Sequence, residues 1–290
     1  MVILEVNRAC LGVQGQCQRL MQWIPYLAHC KVEVLYLLPI QKRGEQKAFG
    51  SPYCIQDFWE WDEAWGNTQD WERLVKLCRE NNIRLVLDWV MNHTAWDHPW
   101  LQDCPDFYLK DELGNFISPP GTKWTDVVQL DTNHPVMIQA MKQYMKSWVE
   151  ERGVGGFRWD AMQRIPREVR KEIQVEINHS FPDVIWLGDD SAISAHEEGV
   201  DFIERRWTDQ SKVEWLVGND EYIWTFLHHH DEAAVQSWKR KMDASSGEVI
   251  NYLITQLKYP VLSFSMWESK DTVFNWASPQ LVSLRTINEY

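Results

Sequence analysis

Short apolar runs alternate with longer amphipathic stretches along nearly the whole chain. The runs predict strands at Val2–Val6, Val32–Leu38, Arg84–Val90, Val154–Trp159, Val184–Gly188, Val200–Glu204, Tyr222–His228 and Val261–Met266. Between them, helices are predicted near Gln16–His29, Thr68–Asn81, Pro135–Arg152, Pro166–Ser180, Asp209–Val217, Glu232–Leu257 and Pro279–Glu289. The second of these shows the logic. Asn67 stands as an N-cap, and Trp71, Leu74, Val75 and Cys78 recur at helical spacing, which aligns them on one face. Eight strands alternating with helices predict an α/β fold, a (β/α)8 TIM barrel. A doubly wound open sheet is the alternative, but it usually carries a glycine-rich phosphate loop, and none is present.

One connection breaks the rhythm. After the third strand, residues 93–132 are rich in Pro, Asp, Gly and aromatics, including Pro99, Pro105, Pro119, Pro120 and Gly114. A loop of that length in a compact domain is usually functional. It is expected to form a lid-like excursion over the C-terminal mouth of the barrel. The rest of the chain shows no repeat or linker, so residues 1–290 read as a single barrel domain without a further β-domain.

Composition narrows the partners. The net charge of −13 argues against nucleic acid and against an anionic membrane surface, while leaving a neutral ligand open. The longest apolar run, Val32 to Ile40, contains Glu33 and is too short to span a bilayer. No basic leader or cleavage site precedes Val2–Val6, so a cytoplasmic protein is expected. Six cysteines lie within the first 104 residues without a C-x-x-C pair and read as reduced packing residues. Nothing in the pattern sets an oligomeric state. Eighteen tryptophans are expected mostly in helix–sheet packing, with a few at loop positions as platforms for flat ligands such as sugar rings.

The chemistry concentrates at strand ends. Within Gly155-Gly156-Phe157-Arg158-Trp159-Asp160, alternation puts Arg158 and Asp160 on one face and Phe157 and Trp159 on the other. A strand-end arginine two residues before an aspartate is either a plain salt bridge or a means of holding a nucleophilic carboxylate ionised and aimed. Asp88, Asp189 and Asp231 also end or follow strands, and in a barrel these ends meet at one mouth. Crowded carboxylates cannot all be ionised cheaply, so at least one should titrate toward neutrality. An acid beside an ionised carboxylate is the equipment for glycosidic bond cleavage. Asn92, His93, His229 and His230 add hydrogen-bonding groups suited to sugar hydroxyls. A metal site at His228-His229-His230-Asp231 is the competing reading, but His229 alternates away from its neighbours and no H-E-x-x-H accompanies the run.

Several segments resemble one family. Asp88-Trp89-Val90-Met91-Asn92-His93 is similar to the D-x-V-x-N-H segment of the α-amylase family, glycoside hydrolase family 13. Gly156-Phe157-Arg158-Trp159-Asp160 resembles its G-F-R-x-D, and Phe226 to Asp231 its F-x-x-N-H-D. The stretch Gly50 to Phe58 resembles the segment whose tyrosine stacks on the sugar at the cleavage site. The resemblance implies Asp160 as nucleophile, kept ionised by Arg158, and Asp231 as stabiliser of an oxocarbenium-like transition state. It implies His93 and His230 on the hydroxyls of the same sugar, Tyr53 stacked on its ring, and Asp88 with Asn92 bracing the mouth. The implied reaction is retaining cleavage of α-glucosidic bonds in a neutral glucan or maltooligosaccharide, with glucosyl transfer as a variant.

The departures shape the expectation. Where the family carries its acid/base glutamate after the fifth strand, this chain has Asp189; His229 stands for an asparagine and Gly155 for an aspartate. A carboxyl one methylene shorter predicts a slow enzyme limited by protonation of the leaving group. The alternative is a noncatalytic barrel of this kind that binds carbohydrate or a protein partner. No cofactor is expected. In many members of the family a calcium ion is held by the asparagine matching Asn92 and an aspartate further along. Here Gln129 falls in that second place, so no tight calcium site is expected.

Overall fold

The computed structural model describes residues 2–6, 8–29, 32–189, 199–206, 223–226 and 261–266. In chain order the strands are β1 (Val2–Val6), β2 (Val32–Leu37), β3 (Gln41–Arg43), β4 (Ile55–Trp61), β5 (Arg84–Trp89), β6 (His93–Ala95), β7 (Val127–Gln129), β8 (Gly156–Trp159), β9 (Ile185–Gly188), β10 (Phe202–Arg206), β11 (Ile223–Phe226) and β12 (Val261–Met266). Eight of them close a parallel barrel in the order β1, β2, β5, β8, β9, β10, β11, β12, with β12 pairing back onto β1. All eight predicted strands are present, each starting and ending within two residues of its expected bounds.

Strand alternation sorts the side chains into two layers. Ile3, Val34, Tyr36, Val86, Ile185 and Leu187 point inward and pack on one another. Leu4, Leu35, Leu37, Leu85, Leu87, Phe157 and Trp159 point outward into the larger cluster beneath the helices. Near the mouth the inward positions turn polar, at Asp88, Arg158 and Asp189. Gly156 takes the inward place on β8 because any Cβ there would collide with the Ile185 backbone carbonyl on β9.

The helices are α1 (Gln16–Met21), α2 (Ile24–His29), α3 (Thr68–Glu80), α4 (Trp100–Asp103), α5 (Pro135–Glu150) and α6 (Arg167–Ser180). The single helix predicted over Gln16–His29 is in fact two. Pro25 lacks an N–H and its ring would clash with the carbonyl four residues back, so the first helix stops at Met21 and α2 restarts with Pro25 in its first turn. α3 begins with a capping box between Asn67 and Asp70. The helices predicted over 209–217, 232–257 and 279–289 lie outside the described residues.

The tryptophans sit mainly where helices meet strands. Trp65, Trp71, Trp89, Trp148 and Trp159 are fully buried. Trp159 on β8 stacks on Trp186 of β9 at 5.4 Å and 13°, tying two outward strand faces together.

Two small antiparallel pairs lie outside the barrel sheet: β3 with β4, and β6 with β7. The second belongs to the excursion, whose two ends it brings together. Asp97 links the two pairs. Its Oδ2 accepts from the Glu45 and Gln46 backbone N–H groups and from Gln56 Nε2, at 2.8, 3.3 and 3.1 Å. Gly44 is obligatory beside it, since a Cβ would strike the Asp97 carboxylate and Ala95.

Candidate active site

The mouth is organised by one guanidinium. Arg158 points inward from β8, almost fully buried, and is shared among three carboxylates from three strand ends. Nη1 donates to Asp88 Oδ1 at 3.0 Å and to Asp160 Oδ1 at 3.0 Å; Nη2 donates to Asp189 Oδ1 at 2.8 Å. Register sets this up. Asp88 pairs directly with Arg158 across β5 and β8, and Leu187, two residues before Asp189, pairs with Arg158 across β8 and β9.

Each carboxylate has its own further support. Asp88 Oδ2 accepts from Tyr36 Oη at 2.7 Å and Tyr53 Oη at 3.1 Å. Burial, with the nearby Asp88 charge adding to it, pushes both tyrosine hydroxyls well above their ordinary range, so they remain donors. Asp189 Oδ2 accepts from the Ala161 backbone N–H at 3.1 Å. Ala161 adopts a left-handed conformation, φ 48° and ψ 42°, immediately after Asp160. A non-glycine residue held there costs about 1 kcal/mol or more, a strain that clusters at functional sites.

Above this cluster lies a cavity of about 300 Å³, lined in part by Tyr53, His93, Trp124, Asp126, Asp160 and Asp189. Tyr53 arrives from the loop before β4, His93 from β6, and Trp124 and Asp126 from the segment before β7. The excursion therefore supplies one wall and the barrel strands the floor. A larger cleft of about 560 Å³ lies between α3 and the end of α5, walled by Glu72, Lys76, Arg79, Glu150 and Arg152, and holds none of the strand-end carboxylates.

His93 is held neutral. Burial, helped by the Arg164 charge, pushes it down to about 3. Its Nδ1 lies 3.1 Å from Asn92 Nδ2, which as an amide can only donate, so Nδ1 accepts and the ring proton resides on Nε2. Trp124 stands between His93 and Arg164, its ring 5.7 Å from the imidazole and 5.2 Å from the guanidinium carbon.

Known proteins resemble this chain in sequence and in fold. Residues 7–118 match the family described as alpha amylase, catalytic domain. Alpha-amylase 3 of Dictyoglomus thermophilum is 27% identical over 179 residues, covering 55% of this chain and 35% of the relative. An amino acid transporter heavy chain from Rattus norvegicus is 23% identical over 206 residues, covering 59% of this chain and 29% of the relative. The crystal structure of an alpha-amylase from Lactobacillus plantarum superposes with a TM-score of 0.81 at 20% identity, covering 99% of this chain and 80% of that one. The chain is similar in sequence to alpha-amylases over part of its length and shares their fold. It spans about a third of the length of the curated relatives it matches.

Among the residues singled out from the sequence, the amylase-like barrel brings Tyr53, Asp88, His93, Arg158, Asp160 and Asp189 to one mouth. Asp231 and His230, with the rest of the run His228–Asp231, lie outside the described residues. Among the described residues no cluster of His, Cys, Asp and Glu could hold a metal ion, and no helix is long and apolar enough to cross a membrane. Cys17, Cys54, Cys78 and Cys104 are free thiols.

Four residues of this site were not singled out from the sequence. Tyr36 could have been found by strand parity, since it shares the inward face with Val34. Trp124 and Asp126 lie in Trp124-Thr125-Asp126-Val127, a stretch with only a weaker resemblance to the same family and no role attached, and Ala161 carried no signal, because its role belongs to the backbone. Asp126 also meets Cys54, whose Sγ lies 3.2 Å from Asp126 Oδ2; burial and that contact push the thiol up to about 12.

Proposed function

We propose that the barrel mouth is a glycoside hydrolase site that cleaves α-glucosidic bonds of a neutral glucan or maltooligosaccharide by retaining double displacement. The observation that carries this reading is the shared guanidinium. Arg158 holds Asp160 as an aimed carboxylate on the cavity floor, which is what attack on an anomeric carbon requires. Asp160 forms the glycosyl ester as the bond to the leaving oxygen breaks, and the leaving oxygen takes up a proton. Water then cleaves the ester with the same proton donor acting in reverse as a base. Neutral His93 and Tyr53 line the cavity where ring hydroxyls and a ring face would lie. The resemblance adds Asp231 and His230 to this set.

The family names of the relatives support the coarse reading of a hydrolase, and the cavity's lining, in which Arg158 is outnumbered by Asp126, Asp160 and Asp189, supports an uncharged substrate over an anionic one. The proton donor is the weak element. Asp189 stands in the acid/base place, yet both of its oxygens already accept hydrogen bonds, from Arg158 and from Ala161. That same fact favours the second reading, a noncatalytic barrel that binds carbohydrate or a protein partner. The similarity to a transporter heavy chain, whose name describes no hydrolase, points the same way.

Incubation with starch, maltooligosaccharides, sucrose and isomaltose, with products resolved by chain length, tests the proposal. Shorter products that vanish in Asp160→Asn support hydrolysis, and products longer than the substrate support transfer. A folded protein that yields neither from any of the four moves the assignment to the binding reading.

A further inference from the structure

The family resemblance implies a calcium ion between the excursion and the barrel, and the residues present do not fit one. The place is built from Asn92, just after β5, and Gln129, at the end of β7. Both are buried, and the strand pairing sets Gln129 directly across from His93. The Gln129 side-chain nitrogen donates into three oxygens: the Leu130 carbonyl at 2.7 Å, the Asn92 carbonyl at 2.9 Å and Asn92 Oδ1 at 3.1 Å. The Asn92 carbonyl also accepts from the Leu130 backbone N–H at 3.0 Å. Asn92 passes the order on, its Nδ2 donating to His93 Nδ1 on the cavity wall.

We infer that the Gln129 amide stands where a cation would, so the excursion is clamped to the barrel without metal. A hard cation needs six to eight oxygen lone pairs at about 2.3–2.6 Å, usually including carboxylates. Here three oxygens converge on a nitrogen whose protons, not lone pairs, face inward. Two N–H groups serve three acceptors, so the amide carries out the charge-neutral version of the same bridging. The inference does not depend on the protein having hydrolase activity, because the clamp orders Asn92 and His93 whatever the cavity binds.

It also predicts a conversion. Replacing Gln129 by aspartate withdraws the donor and shortens the side chain by about 1.5 Å. The vacated space is then lined by the Leu130 and Asn92 carbonyls, Asn92 Oδ1 and a carboxylate. These are the oxygens that a calcium ion would use.

The test is thermal unfolding of the whole chain in chelator and in millimolar calcium. The unmodified protein is expected to unfold at the same temperature in both, and a fall in chelator overturns the inference. Gln129→Asp is expected to unfold earlier than the unmodified protein in chelator. It should recover by roughly 4–5 °C at calcium about 100-fold above its Kd, and less in magnesium. A folded Gln129→Asp variant indifferent to calcium also overturns the inference. Should that variant fail to fold even with calcium, Gln129→Glu takes its place. It keeps the shape of the native side chain but aims a carboxylate oxygen at three acceptors. It should lose more stability in chelator than in calcium, and equal loss in both counts against the inference. Calorimetric titration of the unmodified protein with calcium decides independently of any variant: no heat is expected, and saturable binding refutes the substitution of cation by amide.

Discussion

Arg158 Nη2 and Asp189 Oδ1 meet at 2.8 Å at the barrel mouth, while the second Asp189 oxygen accepts from the Ala161 backbone N–H. A carboxyl group acting as a general acid must carry a proton, and hydrogen bonds accepted from a guanidinium and from a backbone N–H both favour the carboxylate over the acid. Protonating a leaving group from Asp189 therefore works against both of these partners.

Leaving groups that need no proton escape this cost. An activated aryl glycoside such as a nitrophenyl α-glucoside is expected to be turned over at least ten-fold better, relative to maltotriose, than a well-placed acid would allow. In Asp189→Glu the extra methylene carries the carboxyl beyond the reach of both donors and into the cavity. Turnover of maltooligosaccharides should then rise on the order of 10–10²-fold, with little change on the aryl substrate. Steady-state kinetics on the two substrates checks this. Equal gains on both, or none on either, would place the proton donor elsewhere.

The guanidinium is also a stability element. Arg158 and Asp88 are both almost fully shielded from water, and two further carboxylates lean on the same group. Arg158→Met leaves buried carboxylates without their cation and is expected to cost about 3–5 kcal/mol. Arg158→Lys keeps the charge but cannot present two nitrogens to three carboxylates, so an intermediate loss is expected. Urea unfolding of the three proteins gives the ordering.

Much of this architecture was legible in the residues, and the limits are physical. Apolar runs of strand length separated by helical periodicity mark a barrel strand whatever its neighbours are, which is why all eight barrel strands could be located. The β3–β4 pair escaped notice because its strands bury no regular alternate face: within Ile55–Trp61 only Ile55 and Phe58 are fully covered. The β6–β7 pair is three residues on each side and is set by pairing between residues as distant in sequence as His93 and Gln129. At the site, local spacing showed that Arg158 and Asp160 share a face. That Arg158 would also reach Asp88 and Asp189 depends on register between strands, which a single strand's sequence does not encode. The direction of the Gln129 amide likewise exists only once β7 lies against β6.

Gly156 tests the register directly. A methyl group on this residue would run into the Ile185 carbonyl and approach the Ile185 Cβ at 3.0 Å, both part of the neighbouring strand. Backbone on two paired barrel strands has little freedom to retreat. Gly156→Ala is expected to cost about 2–3 kcal/mol, and to lower activity through Arg158 and Asp160 on the same strand. Gly114→Ala is the control: unlike Gly156 its glycine sits at positive φ, and nothing lies near its missing Cβ, so its loss should be about 1 kcal/mol and confined to backbone strain. Chemical denaturation of both variants settles the comparison, and equal losses would deny the close approach of β8 and β9.

Acid should weaken the fold already in the range where free imidazoles titrate, and two buried histidines carry the effect. Burial, with Arg164 adding to it, pushes His93 from 6.5 down to about 3; burial pushes His98 down to about 4 against the opposing charges of Asp57 and Asp97. In the unfolded chain both imidazoles take up a proton near pH 6.5, while in the folded protein they stay neutral. Between the two values the unfolded state binds more protons, so stability falls as pH falls. The contribution is intact above about pH 6.5 and is lost progressively toward pH 4 and then 3. Each histidine accounts for on the order of 1–2 kcal/mol between pH 6.5 and 5. Asp62 adds a later loss. Although burial opposes it, its hydrogen bonds and ion pairs with Arg8 and Arg43 bring the carboxyl from 3.8 to about 2, so its stabilisation disappears only over that window. Urea unfolding at pH 7 and pH 5 should therefore show a drop that His98→Gln reduces by about half and that Asp62→Asn leaves unchanged. A drop insensitive to His98→Gln would mean that water reaches this imidazole, which in the fold described here is enclosed by Phe58 and Trp100.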